Sequence, residues 1–420
     1  MYETPLTALV LSGGGARAAY QVGVLRALVR LRREVMSPRS RIHNPFGVIC
    51  GTSAGAINAA ALAAHADRFD AAVEAIARVW HNFSAEQVYR ADSIGVLRSG
   101  AQWLTMLSVG WVIARWRRAR PRSLLDNAPL AELLQRLVPL ERLPMVLGQG
   151  HLHALAITAS SYTGGEHFTF FTAADVVRPW ERSQRVAVPC RITHEHLLAS
   201  SAIPFVFPAQ QLAPGGDAAW FGDGSMRNTA PIAPAIHLGA HRLLVIGAGR
   251  MHEPPGRRVS NTGYPSLAQI AGHAMASIFL DALAVDVERM RRINRTLALL
   301  PESMQADTPL RPIEALVIAP SQRIDDIAAR HIARLPAPVR ALLRGAGVGG
   351  AGMTARGAAL ASYLLFEAPF TRELIALGES DTLLRRHEVL QFFGWDSSDS
   401  PRGRRPDHDR AAGRLDIELP

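Results

Sequence analysis

The sequence contains no lysine: its 46 basic side chains are all arginine, and they give a formal net charge of +10. Without lysine there is no G-x-x-x-x-G-K-[ST] phosphate loop, which excludes P-loop nucleotide chemistry. Cysteine is nearly absent as well. Cys50 and Cys190 are the only two, too few for a disulfide framework and without metal-ligand spacing, which suits a reducing compartment and argues against a metal site. Aromatics amount to 6%, sparse for stacking platforms, and no RNA- or DNA-binding motif accompanies the arginines, so nucleic acid is not an expected partner. The first apolar run is short, ends at glycines and has no basic region before it, so it does not read as a secretory signal. A cytoplasmic protein is expected.

What the chain does have is apolar residues, 48% of 420, enough for a large core in one large domain or two modest ones. Short apolar runs alternate with longer helical stretches, the pattern of an α/β fold with a mostly parallel sheet. Strands are predicted at Leu6–Leu11, Phe46–Cys50, His153–Thr158, His167–Thr172, Arg242–Ile246 and Glu314–Ile318. Helices are predicted at Ala18–Arg33, Ala54–Ala64, Asp67–Phe83, Pro129–Leu137, Leu267–Thr296 and Thr382–Phe392.

Two segments break the alternation. Ser99 to Ala114 is an uncharged run of 16 residues, followed by five arginines among residues 115–122. It is shorter than the roughly 20 residues that span a bilayer. A buried helix pair and an interfacial, membrane-facing lid with its arginines on phosphates are the two readings of it. The tail, 396–420, is rich in charge, serine and proline and reads as disordered. The expected organisation is one domain, 1–395, with a helical insertion at about 84–125, and the tail.

Chemistry enters at "FGVICGTSAGAINAA", residues 46 to 60, where an apolar strand runs into a glycine-flanked serine and leaves as helix. Gly51-Thr52-Ser53-Ala54-Gly55 matches G-x-S-x-G, the nucleophile elbow. A serine on so sharp a turn takes strained dihedrals, and side chains two positions either side would collide with the adjoining helix or strand. The helix that follows aims its N-terminal dipole at the serine. Upstream, Gly13-Gly14-Gly15 opens another helix after a strand, and successive glycines can turn their N–H groups into an anion-binding nest. The same stretch fits a loose dinucleotide fingerprint, Gly13-x-Gly15-x-x-Ala18, but Glu34, the one acid at the right distance, sits in a basic helical stretch instead of at a strand end.

A serine nucleophile needs a base. Fifteen histidines are present, among them His194, His237, His241 and His273, and none lies in a distinctive turn. Gly222-Asp223-Gly224, the only Asp-Gly pair in the chain, follows an apolar run. The residues alone leave it equally a β-turn or a carboxylate brought close to another loop.

Together, Gly13-Gly14-Gly15-Ala16-Arg17, the elbow and Asp223-Gly224 resemble the patatin-like phospholipase family, bacterial branch. "LLASSAIPFVFPA", 197 to 209, resembles the segment before its Asp-Gly. The resemblance spans roughly residues 6 to 250. It implies a three-layer α/β/α fold and a metal- and cofactor-free lipid acyl hydrolase working through an acyl-enzyme. Ser53 would be the nucleophile and Asp223 its base; Gly13, Gly14 and Gly15, with Arg17, would form or hold the oxyanion hole. Gly51 and Gly55 would shape the elbow. The partner implied is a lipid or phospholipid, with 99–122 touching an anionic membrane at its inner face. Two positions depart from the family pattern: Ala18 where glycine often follows the arginine, and Ser12 where an acid often precedes the glycines. An aspartate of ordinary pKa, about 3.9, is a weak base for serine, so the dyad needs burial to raise it. A catalytically weak membrane-binding relative, and a general carboxylesterase or thioesterase, are the alternative functions.

Overall fold

The computed structural model describes residues 5–37, 43–90, 123–251, 267–305, 307–345 and 355–395. Its strands are β1 (Thr7–Leu11), β2 (Val48–Thr52), β3 (Ala154–Ser161), β4 (His167–Ala173), β5 (Glu181–Arg182), β6 (Arg185–Pro189), β7 (Gln210–Leu212), β8 (Ala219–Asp223), β9 (Arg242–Ile246) and β10 (Glu314–Ile318). The sheet order is β10-β9-β1-β2-β3-β4-β6-β5, with β8 hydrogen-bonded to β3 and β7 to β8. From β10 to β3 every neighbour is parallel; β4 and β8 run antiparallel to β3.

Parallel strands covered on both faces need apolar side chains in both directions, and β1 reads TALVL for that reason. Leu9 and Leu11 enter one core, with Tyr20, Val22 and Leu25 of α1 (Ala19–Val35), Ala59 and Leu62 of α2 (Ala54–Ala63) and Val73 of α3 (Phe69–His81). Ala8 and Val10 face the other, with Ala235, Leu283, Val287 and Met290. The fold is therefore a three-layer, mostly parallel α/β/α sandwich.

The six predicted strands are present: Arg242–Ile246 and Glu314–Ile318 run as predicted, and the other four have one or both ends moved by one to three residues. The predicted helix at Thr382–Phe392 is two: one helix runs Ala368–Leu384 and another Arg386–Phe393. Arg385 between them leaves helical dihedrals (φ −102°, ψ 25°) and sends its guanidinium to Glu388 and to the Val317 carbonyl. The predicted Leu267–Thr296 helix contains a π turn, Ser277–Asp281, between helices Leu267–Ala276 and Ala282–Ala298. Gln269–Ala298 is long and apolar enough to cross a membrane by length and composition alone, yet Phe279, Leu283, Val287 and Met290 on it are buried in the protein. Of the expected insertion at 84–125, residues 91–122 lie outside the described residues, as does the 396–420 tail. The flanks of that segment meet: the Arg90 N–H donates to the Asp126 carbonyl at 2.8 Å.

Candidate active site

β2 ends at Thr52 and α2 begins at Ala54, so Ser53 alone makes the turn. Its backbone sits at φ 56°, ψ −130°, a left-handed region that a side chain occupies only under constraint. The constraint is packing. A Cβ on Gly51 would lie 2.5 Å from the Gly55 carbonyl oxygen and 2.7 Å from the Ala59 Cβ; one on Gly55 would lie 2.5 Å from the Leu11 carbonyl oxygen and 2.6 Å from that of Ser12. Both glycines let α2 press onto β1 and β2, and that pressure sets the turn.

β8 brings Asp223 to the same place by pairing it with Ala159 of β3. The Ser53 Oγ donates to the Asp223 Oδ2 at 2.6 Å, and both residues are almost wholly buried. The other carboxylate oxygen, Oδ1, accepts the Ser225 N–H at 2.8 Å. Burial pushes the Asp223 carboxyl up to about 6, against the hydrogen bonds from Ser53 and Ser225 that favour the charged form.

The segment 197–209 clamps the two halves together. The Ser53 N–H donates to the Ser200 Oγ at 2.9 Å. Ser200 and Ala202 carbonyls accept the N–H groups of Gly224 and Asp223, each at 3.0 Å. Below the turn, His167 Nε2 donates to the Gly224 carbonyl at 2.9 Å. Burial lowers that imidazole to about 4, so it stays neutral and acts as a fixed donor. Among the described residues no histidine hydrogen-bonds to Ser53: His194 bonds the Val138 carbonyl, and His237 stacks on Trp180.

Of the three loop glycines, Gly15 lines the cavity in front of Ser53, together with Ala54. Gly13 packs against Ser53 and Ser225, and Gly14 against Ala248. Ala54 opens α2, so its N–H is one of the orphan donors of a helix N-terminus. Sequence reasoning named the glycine loop as an anion nest and aimed the α2 N-terminus at Ser53, without singling out the Ala54 amide. Ser200 was also missed as an individual residue, although its segment was singled out. Arg17 turns its guanidinium to Ser362 Oγ (2.8 Å) and Asp325, with the ring of Tyr363 4.2 Å beneath it. Arg17 thus ties the glycine loop to the C-terminal helices; its charge is already matched by Asp325. Ala18 is fully buried, and the Ser12 hydroxyl bonds the Ile246 carbonyl.

The cavity in front of Ser53 measures about 380 Å³, within the range of small-molecule sites. Ile57, Asn58 and Ala61 line it from α2; Ala72, Ile76, Val79 and Trp80 from α3; Leu130, Leu133, Leu134 and Leu137 from helix Ala128–Leu137; and Ile203, Phe207 and Phe366 are also in its wall. Its polar Asn58 is occupied, accepting the Trp80 Nε1–H at 2.9 Å and donating to Gln21 at 3.1 Å. The lining is mostly apolar, and its remaining polar residues are His65, Arg68, Arg78 and Ser201.

No curated protein matches the sequence. Among solved structures, human GIVD cytosolic phospholipase A2 in complex with methyl gamma-linolenyl fluorophosphonate is similar at 14% identity and a TM-score of 0.39, over 93% of this chain and 59% of that one. The chain therefore spans less than two thirds of that structure. VipD from Legionella pneumophila is similar at 13% identity and a TM-score of 0.26, over 89% of this chain and 67% of its own. The type III effector protein ExoU, from Pseudomonas aeruginosa, follows at 16% identity and a TM-score of 0.28, over 95% of this chain and 90% of its own. The family model for patatin-like phospholipases matches residues 9–236. That span is more than half of the chain and holds the glycine loop, the serine elbow and the Asp-Gly turn: the protein belongs to the patatin-like phospholipase family.

Proposed function

We propose that the protein is a lipid acyl hydrolase in which Ser53 and Asp223 act as a nucleophile–base dyad. One observation carries the reading: the buried Ser53 hydroxyl donates to Asp223 at 2.6 Å and lines a mostly apolar cavity. Membership in a phospholipase family supports a lipid ester as the substrate.

As the Ser53 Oγ adds to the ester carbonyl carbon, its proton passes to the Asp223 Oδ2. The carbonyl oxygen takes the negative charge and receives the N–H groups of Gly15 and Ala54 at the α2 N-terminus. The tetrahedral centre then collapses, the bond to the leaving oxygen breaks, and Asp223 returns the proton to that oxygen. The acyl group remains on Ser53 with its tail in the apolar cavity. Water next gives a proton to Asp223 as its oxygen adds to the acyl carbon; the fatty acid leaves and Ser53 regains its proton. Burial raises the basicity of Asp223, which this chemistry needs near neutral pH.

The protein is proposed to work in the cytoplasm at the inner membrane face, with 99–122 on anionic lipid. Hydrolysis of phospholipid vesicles and of p-nitrophenyl esters by wild type, Ser53→Ala and Asp223→Asn tests the reading. Both variants are expected to fold and to lose activity by about a thousandfold or more. Full activity in folded Ser53→Ala would end the proposal. Release of lysophospholipid from vesicles would separate a phospholipase from an esterase or thioesterase.

A further inference from the structure

Beside the dyad lies a hydroxyl that the chemistry above does not use. Ser225 is buried, and its Oγ has no hydrogen-bond partner. An unpaired buried hydroxyl is disfavoured, so its position calls for an occupant or a moment of use. The Oγ lies against the α-carbon of Gly13, where a Cβ would overlap it, and that same point is 3.0 Å from the Ser53 Cβ. Ser225 is also joined to the base itself, since its N–H holds the Asp223 Oδ1. Its hydroxyl is near enough to the carboxylate to favour the charged form, though not placed to hydrogen-bond it in the resting state.

In the resting enzyme the Asp223 Oδ2 is occupied by the Ser53 O–H. Acylation removes that donor: the Ser53 oxygen is then bonded to the acyl carbon and has no proton. Once the leaving group has taken its proton, Asp223 is a carboxylate again, fully buried, with only the Ser225 N–H left among its present donors. We infer that Ser225 is a positioning residue for the second half of the reaction: rotation about its Cα–Cβ bond lets the hydroxyl donate to the Asp223 carboxylate of the acyl-enzyme, keeping it charged and oriented for the hydrolytic water. No covalent bond changes in this step; a hydrogen bond lost from Ser53 is replaced by one from Ser225. The inference rests on the proposed dyad and adds to it a division of labour between acylation and deacylation.

Stopped-flow hydrolysis of p-nitrophenyl butyrate by the full chain tests it, because the p-nitrophenolate burst reports acylation and the steady state reports deacylation. In Ser225→Ala the burst rate is expected to stay within about threefold of wild type, while the steady-state rate falls about 10- to 100-fold, as for a lost hydrogen bond to a charged group. Ser225→Gly, which removes the hydroxyl with a different effect on packing, is expected to show the same split. An equal fall in both phases would overturn the inference in favour of a resting-state packing role, and unchanged phases would overturn it outright. If wild type itself shows neither phase, the hydrolase reading fails before this one is reached.

Discussion

The carbonyl oxygen of Tyr363 fills the place that a side chain on Gly15 would need, and Gly15 sits at φ 55°. The glycine loop is thus moulded by the helix Ala355–Leu364, which lies beyond residues 9–236 of the family match. Arg17 fixes the same contact from the side through Ser362, Tyr363 and Asp325. Gly15→Ala would strain the backbone and push the loop off Tyr363, displacing one amide from the proposed oxyanion site. Its kcat on a soluble ester is expected to fall about 100-fold or more, the usual cost of one oxyanion donor. Titrating active sites with a fluorophosphonate before the assay separates this from loss of folded protein.

The raised carboxyl of Asp223 predicts opposite effects on activity and stability. Only the carboxylate can take the Ser53 proton, so kcat/KM is expected to rise with pH through about 6 and then level. For stability the sign reverses. Between the ordinary carboxyl value of 3.8 and about 6, the native state holds a proton that the unfolded chain has lost, so stability falls as pH rises through that window. At pH 7 the buried charge costs about 3 kcal/mol by this linkage. Asp223→Asn is therefore expected to unfold at higher denaturant than wild type at pH 7, with the gap closing below pH 4. A less stable Asp223→Asn at pH 7 would contradict the account.

Ser53 carries backbone strain as part of its position. Glycine adopts φ 56°, ψ −130° freely, whereas alanine does not. Relief of about 1–3 kcal/mol, less the larger unfolded-state entropy of glycine, should leave Ser53→Gly about 1 kcal/mol more stable than Ser53→Ala. Urea denaturation of the two variants measures the difference.

Ala61 lies on the cavity wall eight residues along α2 from Ser53, about 12 Å at helical rise. A tryptophan there would block the far part of the cavity without touching the dyad. Ala61→Trp is expected to hydrolyse p-nitrophenyl butyrate near the wild-type rate and the palmitate about 10- to 100-fold more slowly. Equal losses on both esters would place the acyl tail elsewhere.

The sequence made legible the parts of this molecule that are long or punctuated. The six predicted strands are apolar runs flanked by turns, and the elbow announced itself because Gly51 and Gly55 must lack side chains for α2 to reach β1 and β2. β5 to β8 were not predicted. β5 has two residues and β7 three, and β8 reads AWFGD with an exposed Trp220, so none shows a sustained pattern. The helix His194–Ser200 was hidden by polar residues at its start, and its Ser200 matters through hydrogen bonds to Ser53 and Gly224 that no spacing encodes. Residue types named Asp223 as a candidate and left it undecided; β8 pairing with β3, a non-local contact, is what sets it against Ser53. The Ala54 amide belongs to the backbone and has no signature in any side chain.

The most direct test of the dyad is the rate and site of modification by a long-chain fluorophosphonate, read by peptide mass spectrometry. The account predicts a single adduct on the peptide containing Ser53, with Asp223→Asn labelled about a hundredfold or more slowly. Labelling of another serine, or equal rates in wild type and Asp223→Asn, would contradict it.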